Sequence, residues 1–378
     1  MKAVVTNCDL FTPYGRGVAA CWQGLLSGRT AVRAVDRFET RAFTSRCAAL
    51  APGLDPAGSD SLCMQMLAQV LAGARDRLPA DTFVILATTA GEVDLLERSL
   101  LRGQGADDES RPDRLLAKVL RMCAPAAEGI VVSAACASSS VALAQAAGWI
   151  ADGERDCVLV AACDSVTEFV FAGFSALMAL DSRPARPFDR DRKGLSLGEA
   201  AGWALLMSER RARAEGRPII GRVDGWGLSN DANHMTGPSR DGQGLATAIE
   251  KALGRAGRDA PAVACVSAHG TGTVYNDAME MKAFRRVFGE RAAPTYSVKG
   301  AVGHTLGAAG LVETLVALQA LHERTVPPTI GLAHADDDAR GWVSTAAVRL
   351  AQPGAALLTN AGFGGINAAL VLAGGEAA

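Results

Sequence analysis

The sequence has little that would direct it to a nucleic acid, a membrane or a metal. Its 378 residues contain 38 Lys and Arg against 40 Asp and Glu, a formal net charge of −2. Such a balance lacks the basic surface that nucleic acids and anionic membranes attract. The sequence also lacks an apolar run long enough to cross a bilayer. We therefore expect neither a nucleic acid nor a membrane among its partners.

Paired cysteines are missing as well. The nine cysteines form no Cys-x-x-Cys pair and lie mostly in apolar runs, which argues against disulfides and a zinc site. Residues 1–6 predict a first strand and lack the apolar core of a signal peptide. These features predict a cytoplasmic protein with no metal site.

Buried strands alternate with helices along the whole chain, which predicts an α/β fold with mostly parallel, covered sheets. The pattern restarts near Gly216, so we predict an N-terminal half over 1–215 and a C-terminal half over 216–378. Each half has a buried strand that ends at a reactive residue type, and each closes on a similar apolar strand. Two such halves packed face to face would form an αβαβα five-layer sandwich.

One stretch joins a strand to a helix through a cysteine. The apolar run 130–135 predicts a strand, and the small residues 137–147 predict a helix that Gly148 ends. Cys136 lies between them, where free helix amides are expected to lower the pKa of a thiol and favour a nucleophilic thiolate. The alternative is a buried structural cysteine.

Two histidines lie at similar junctions. His269 begins His-Gly-Thr-Gly-Thr directly after a buried strand, and His304 lies between a strand and an apolar helix, five residues after Lys299. Cysteine with histidines and no metal pattern suggests thioester chemistry. If an enolate forms, two neutral imidazoles can donate to its oxygen. Each histidine alone could instead be an ordinary polar residue of the core.

From Val4 to Leu372 the chain resembles the β-ketoacyl-acyl carrier protein synthases of the decarboxylating Cys-His-His type, in the thiolase-like superfamily. The resemblance rests on the stretches 134–138, 269–273, 299–304 and 362–365, with support from 186–189, 198–202, 231–236 and the acidic cluster Asn276, Asp277 and Glu280. It implies the thiolase-like fold with its duplicated halves.

The resemblance also implies roles for individual residues. Cys136 would accept an acyl group from an acyl carrier protein, and malonyl carrier protein would then lose carbon dioxide and attack the thioester. The implied catalytic residues are Cys136, His269, His304, and Lys299 paired with Glu280. The amides of Cys136 and Phe363 would form an oxyanion hole, and Phe363 would also act as a gate. The residues implied to contact phosphopantetheine or the acyl chain are Thr236, Thr271, Thr273, Phe174 and Phe363, with 88–95 and Phe169 as a further part of the acyl pocket.

The same resemblance implies no bound cofactor, because phosphopantetheine arrives on the carrier protein. It implies a homodimer, or a heterodimer with a ketosynthase-like chain-length factor. The stretch 231–236 resembles the family's substrate-channel segment. Basic residues near this channel segment could dock the acidic carrier protein, or could be an ordinary solvated loop: Arg183, Arg186, Arg190, Arg192 and Lys193.

Two departures from the family pattern favour a specialised polyketide or polyene pathway over housekeeping fatty-acid elongation. Ala361 replaces the Phe that often precedes the gate by two residues, and the stretch 31–56 is short. A non-catalytic ketosynthase-like partner and a thiolase or coenzyme A-dependent initiating synthase are competing interpretations. The intact Cys136, His269 and His304 argue against both. A serine hydrolase is not expected.

Overall fold

The structure is a computed structural model that describes residues 1–105, 108–123 and 128–375. The polar stretch 103–113, whose composition predicts an exposed loop between two helices, therefore lies partly outside the described residues. The strands are β1 Ala3–Thr12, β2 Gly15–Arg16, β3 Arg33–Ala34, β4 Cys47–Ala49, β5 Phe83–Ala87, β6 Gly129–Val132, β7 Cys157–Asp164, β8 Leu197–Gly198, β9 Ala200–Ser208, β10 Gly221–Asn230, β11 Val263–Ser267, β12 Thr295–Tyr296, β13 Thr325–Val326, β14 Val348–Arg349, β15 Ala355–Gly362 and β16 Ile366–Gly374. The helices are α1 Val18–Leu26, α2 Leu62–Leu71, α3 Val93–Leu101, α4 Pro112–Cys123, α5 Ser138–Asp152, α6 Glu168–Ala176, α7 Glu209–Ala214, α8 Gln243–Ala256, α9 Val274–Phe288, α10 Lys299–Val302 and α11 Ala309–His322.

The main sheet repeats one arrangement of strands. On one side the order is β6-β5-β7-β9-β1, and on the other it is β12-β11-β15-β16-β10. In each set the first three strands are parallel to one another. The fourth strand pairs antiparallel with the third, and the fifth pairs antiparallel with the fourth. The two sets meet where β1 pairs with β10 over three residues. The first set of elements ends with α7 and the second begins with β10. The predicted boundary between the two halves lies in this interval, and the exact division at 215/216 stays a prediction.

Helices cover both faces of each set of strands. Alternate residues of β5 show this, because Ile85 packs into a central core while Val84 and Leu86 pack into an outer one, as the two-residue period of a strand requires. The central core contains α5 and α11, one outer core contains α2 and α4, and the other contains α8 and α9. The layers therefore run helix, sheet, helix, sheet, helix.

The helix after Cys136 is longer than predicted. Gly148 lies inside α5, where an added Cβ would meet Trp226 at an ordinary contact distance of 3.7 Å, and the helix ends before Gly153, whose φ of 79° is left-handed. Strand β6 ends at Val132 rather than at residue 135. Cys136 therefore lies in a short turn between the two elements.

Across the described ranges no helix is both long and apolar enough to span a bilayer. All nine cysteines lie in these ranges and are free thiols.

Candidate active site

A strained turn presents the Cys136 thiol. Ala135 has a φ of 48°, an uncommon conformation for a residue with a side chain that costs on the order of 1–3 kcal/mol. Ser138 stabilises it, because its hydroxyl donates to the carbonyl of Ala135 at 2.6 Å and accepts from the amide of Ala134 at 2.9 Å. The turn thus holds Cys136 ahead of the first residue of α5.

The prediction of a lowered thiol pKa is wrong for this structure. Burial raises the pKa of Cys136 to about 11, and the nearby Lys299 charge and the amides of Phe363 and Cys136 offset only part of that rise. The cysteine is 5% exposed, so little water can solvate a thiolate. Its sulfur is therefore a protonated thiol in the resting protein. The two amides that stabilise a negative charge there are those predicted for the oxyanion hole.

His269 follows β11 and is held by donors on one ring nitrogen. Its Nδ1 lies 3.1 Å from Nδ2 of Asn360 and 3.2 Å from Nζ of Lys299. Since an amide NH2 group can only donate, Nδ1 is an acceptor and the ring proton lies on Nε2. Burial, the Lys299 charge and His304 lower the pKa of His269 well below its ordinary value, so the ring is neutral.

His304 has the same tautomer from a different partner. The amide of Leu306 donates to its Nδ1 at 3.3 Å. Its Nε2 is buried and has no hydrogen-bond partner among the described residues, which is rare for a buried polar atom. Burial and then the Lys299 charge lower the pKa of His304 well below its ordinary value. His304 therefore offers a neutral N–H donor that nothing in the described structure uses.

Cys136, His269 and His304 line one cavity of about 450 Å³. The cavity brings a thiol together with two neutral imidazoles whose remaining N–H groups are free to donate. This arrangement can hold an acyl group on sulfur and bind a developing oxyanion beside it.

The Lys299 side chain pairs with Glu313, so the predicted Lys299–Glu280 pair is wrong. Its ammonium contacts Oε1 of Glu313 and donates to the carbonyl of His269 at 2.6 Å. Lys299 and Glu313 are 1% and 0% exposed. Lys299 is thus a buried charge that orients the backbone and ring of His269 from behind.

Glu280 instead fixes the loop that carries His269. It accepts from the amides of His269 at 2.8 Å and Gly270 at 2.6 Å, and from the side chains of Asn276 and Thr359. Burial and the Asp277 charge raise the pKa of Glu280 to about 7. Glu280 does not line the cavity, and its contacts define a positioning residue.

Phe363, the predicted gate, is in contact with Phe174, which is predicted to contact the phosphopantetheine or acyl group. Phe363 follows β15, and its ring stacks on Phe174 of α6 with centroids 5.6 Å apart. The loop of Phe363 is tied to the channel segment, because the amide of Gly364 donates to the carbonyl of Met235 at 2.7 Å. Both rings line the cavity beside Cys136.

The three threonines predicted at the channel also line this cavity. The hydroxyls of Thr271 and Thr273 lie 2.9 Å apart, and the amide of Thr236 donates to Nδ1 of His234 at 3.1 Å. Residues 88–95 and Phe169, which the sequence resemblance places in the acyl pocket, do not line the cavity.

Two glycines bring the loop of His304 against the chain ahead of β9. A Cβ on Gly198 would lie 2.0 Å from the carbonyl oxygen of Val302, and one on Gly303, whose φ is 69°, would lie 2.4 Å from that of Leu197. Both distances are far inside normal contact. The amide of His304 donates to the carbonyl of Ser196 at 2.7 Å. These backbone contacts fix the position of His304 from the side opposite the cavity.

The residues 194–198 read Gly-Leu-Ser-Leu-Gly, which fits the Gly-x-Ser-x-Gly pattern of serine hydrolases. Ser196 is 1% exposed, and its hydroxyl accepts from the amide of Ala185 at 3.0 Å. It does not line the cavity. Ser196 is therefore a structural residue, and the pattern does not mark a hydrolase.

The basic residues near the mouth divide into two groups. Arg192 is 6% exposed and lies between Asp277 and Asp336, and Arg186 faces Asp181. Both therefore stabilise the loop rather than offering free charge. Arg183 and Arg190 lie on the surface, and Lys193 lines the cavity.

Sequence reasoning missed three buried polar residues. Glu313 is the one carboxylate in a mostly apolar helix, a feature that sequence reasoning could have used to find it. Asn360 precedes the glycine-rich turn of Phe363. Asp164 ends β7 and accepts from the amides of Thr89 at 3.0 Å and Gly307 at 2.7 Å, so it joins the segment before α11 to the neighbouring half.

Comparisons with known proteins show which family the chain belongs to. Residues 125–212 match the family model "Beta-ketoacyl synthase, N-terminal domain", and residues 220–333 match "Beta-ketoacyl synthase, C-terminal domain". The chain is 31% identical to 3-oxoacyl-[acyl-carrier-protein] synthase 2 of Vibrio cholerae, over 98% of each chain. It is 32% identical to the actinorhodin polyketide putative beta-ketoacyl synthase 1 of Streptomyces coelicolor, over 100% of this chain and 89% of the relative.

Two solved structures are similar over 99% of each chain. The ishigamide ketosynthase/chain length factor has a TM-score of 0.88 at 31% identity. A type II PKS acyl-carrier protein in complex with its ketosynthase, AntDE:AntF, has a TM-score of 0.90 at 26% identity.

The chain belongs to the β-ketoacyl synthase family and has its α/β, thiolase-like fold. It is an acyltransferase of the 3-oxoacyl-[acyl-carrier-protein] synthase type, and its relatives serve both fatty-acid and type II polyketide synthesis. The predicted family, fold and enzyme class are confirmed.

Proposed function

We propose that this enzyme joins an acyl group to a malonyl unit by decarboxylative condensation, with both groups carried on acyl carrier proteins. The observation that carries the proposal is one cavity in which Cys136 faces two amides and two neutral imidazoles, with Nε2 of His304 unpartnered among the described residues. A hydrolase or a simple acyl carrier has no need for a second pair of donors. A reaction that passes through an enolate does.

In the first step the Cys136 sulfur attacks the carbonyl carbon of an acyl thioester. The new sulfur–carbon bond replaces the bond to phosphopantetheine, and the cysteine proton ends on the released pantetheine thiol. The amides of Cys136 and Phe363 donate to the oxyanion of the tetrahedral intermediate. Because the thiol is a weak acid here, its proton must leave as substrate binds rather than beforehand.

In the second step the carbon–carbon bond to the malonyl carboxylate breaks and carbon dioxide leaves. The electron pair forms an enolate whose oxygen accepts from Nε2 of His269 and of His304. The enolate carbon attacks the carbonyl carbon of the Cys136 thioester, and the carbon–sulfur bond breaks to release the β-ketoacyl product. The expelled cysteine thiolate takes a proton from solvent. Neutral imidazoles suit this role, since both ring pKa values lie well below neutrality. No further cofactor enters these steps.

The pathway we favour is a specialised polyketide or polyene pathway. Ala361 lines the cavity and leaves space where the family often has Phe. Similar proteins include polyketide synthases from Streptomyces. Housekeeping fatty-acid elongation is the alternative, since 3-oxoacyl-[acyl-carrier-protein] synthase 2 enzymes are equally similar. The free cysteines support the predicted cytoplasmic location.

The proposed partners include a second ketosynthase-like chain, either identical or a chain-length factor. Strand β6 lies at one end of the main sheet, and Ile130 on it is 37% exposed. An open strand edge with an exposed apolar side chain favours pairing with another strand. Ketosynthase and chain-length-factor pairs are among the similar structures. Native mass spectrometry of the wild type and of Ile130→Lys tests this edge. We expect a dimer for the wild type and loss of the dimer for the variant.

The first test is intact-protein mass after incubation with a panel of acyl carrier proteins. We expect a thioester adduct on the wild type and on Cys8→Ala, a matched change of another free thiol, but none on Cys136→Ala. Malonyl carrier protein should then yield carbon dioxide and a β-ketoacyl product, and the acyl group that loads fastest indicates the pathway.

A folded wild-type protein that forms no adduct would contradict activity of this chain by itself. Repeating the assay with a chain-length-factor partner would then separate the two remaining explanations. Adduct formation only with the partner indicates an obligate heterodimer, and no adduct in either case indicates a non-catalytic chain.

A further inference from the structure

Asn360 connects three residues around the reacting groups. It lies on β15 and is fully buried. Its Nδ2 donates to Nδ1 of His269 at 3.1 Å and to Oε2 of Glu313 at 2.7 Å. Its Oδ1 accepts from the hydroxyl of Ser140 on α5. The amide therefore joins the helix of the nucleophile to the ring of His269.

The orientation of the amide is fixed by these partners. Glu313 is a carboxylate in a salt bridge with Lys299, so it can only accept. Turning the amide over would place Oδ1 of Asn360 against that carboxylate and lose a charge-assisted hydrogen bond. Both hydrogens of Nδ2 are thus committed, one to Glu313 and one to His269.

The site has no room for another arrangement. A Cβ on Gly310, in α11, would lie 2.0 Å from the Ser140 hydroxyl and 2.8 Å from Oδ1 of Asn360. The missing side chain lets α11 approach α5 closely enough for Ser140 to reach Asn360. The hydrogen bond from Ser140 then holds the amide from the side opposite His269.

On the basis of the proposed function, we infer that Asn360 is a positioning residue that keeps the ring proton of His269 on Nε2, where it can form a hydrogen bond to the enolate oxygen. Lys299 also lies near Nδ1 of His269, and its three N–H donors can serve Nδ1, the His269 carbonyl and Glu313 together, so it supports the same tautomer. Asn360 supplies a donor of fixed geometry, because every hydrogen-bonding atom of its side-chain amide already has a partner.

The test is Asn360→Asp, which keeps the shape and removes the NH2 donor. An aspartate has at most one proton, so it cannot donate to both His269 and Glu313. We expect acyl loading of Cys136 to stay close to wild type, because the oxyanion amides are unchanged. We expect malonyl decarboxylation to fall about 10²-fold or more, the usual loss for one transition-state donor.

Nitrogen-15 NMR of histidine-labelled protein reads the tautomer directly. In the wild type, His269 should show an unprotonated Nδ1 and a protonated Nε2, and Asn360→Asp should move the proton toward Nδ1. His304 serves as an internal control in the same spectrum, because its Nδ1 contacts Leu306 instead. Ser140→Ala, which removes the support of the amide, should lower decarboxylation by a smaller factor and also spare loading.

The outcomes separate this inference from the proposed function. A wild type that neither loads nor decarboxylates overturns the proposed function itself. A wild type active in both steps, with Asn360→Asp unchanged in decarboxylation and in the His269 spectrum, overturns the role of Asn360. Equal losses of loading and decarboxylation in a folded Ser140→Ala protein would also overturn it, since they would indicate a general structural role.

Discussion

The rings of His269 and His304 meet edge to face, with centroids 5.2 Å apart and planes at 86°. Each ring is held at Nδ1 by its own partners, Asn360 and Lys299 for one and the Leu306 amide for the other. The two Nε2 donors are therefore positioned independently. A substrate oxygen between them would receive two hydrogen bonds that require no reorganisation of the protein.

Removing either donor should affect one half of the reaction. We expect His269→Ala and His304→Ala each to lower malonyl decarboxylation by about 10²- to 10³-fold while acyl transfer to Cys136 persists. Rapid-quench assays of both steps would measure this. His322→Ala, at the end of α11 and away from the cavity, is the control. Equal loss of both steps in the catalytic variants would contradict the division of roles.

The reactivity of Cys136 should depend steeply on pH. Because burial raises the pKa of its thiol to about 11, the thiolate fraction should rise about tenfold per pH unit well below that value. The rate of alkylation by iodoacetamide, followed by peptide mass spectrometry, should therefore climb throughout pH 7 to 9. A rate that is level across this range would show that the thiolate is already formed at neutral pH.

The Lys299–Glu313 salt bridge should be costly to break from one side. Lys299→Met leaves a buried carboxylate without its partner, a change that typically costs about 3–5 kcal/mol of unfolding free energy. Lys299→Met with Glu313→Leu removes both charges and should recover most of that loss. Denaturant titration measures the free energy of unfolding of both variants. Recovery of stability without recovery of decarboxylation would assign the pair to positioning His269.

The Glu280 carboxyl should make stability fall as pH rises. Its pKa of about 7 in the folded protein lies above its ordinary value of 4.5. Between these values the unfolded chain loses the proton while the folded protein keeps it, so the free energy of unfolding falls by up to about 1.4 kcal/mol per pH unit.

Other buried carboxyls contribute to the same trend, so the difference between wild type and Glu280→Gln isolates this one. Urea titrations from pH 4.5 to 8 should give a shallower decline for Glu280→Gln. Parallel curves for the two proteins would show that Glu280 does not titrate in this window.

The sequence predicts what is local to the chain. The strand before His269, the apolar helix α11 and the placement of Cys136, His269 and His304 at element ends all follow from apolar runs and glycines. The partners of Lys299 do not, since the sequence offers Glu280 and Glu313 at similar distances along the chain. Only packing decides that Glu280 faces the amides of His269 and Gly270.

The pKa of Cys136 shows the same limit. A position near the start of a helix favours a thiolate, and the sequence pattern predicts that position for Cys136. The degree of burial depends on α11 and on the loop of Phe363, which arrive from the other half of the chain. Here desolvation outweighs the helix and the lysine charge, and no local pattern contains that information.

The contact between Gly198 and Gly303 bears on how this enzyme could change over time. The wall of the cavity behind His304 accepts not even a methyl group, whereas Leu177, Met178, Val274 and Tyr275 at the mouth are 49–88% exposed. New substrates or carrier proteins would therefore have to be accommodated by substitutions among the exposed residues at the mouth of the cavity. In a saturation library, tolerated substitutions should concentrate there and be nearly absent at the two glycines.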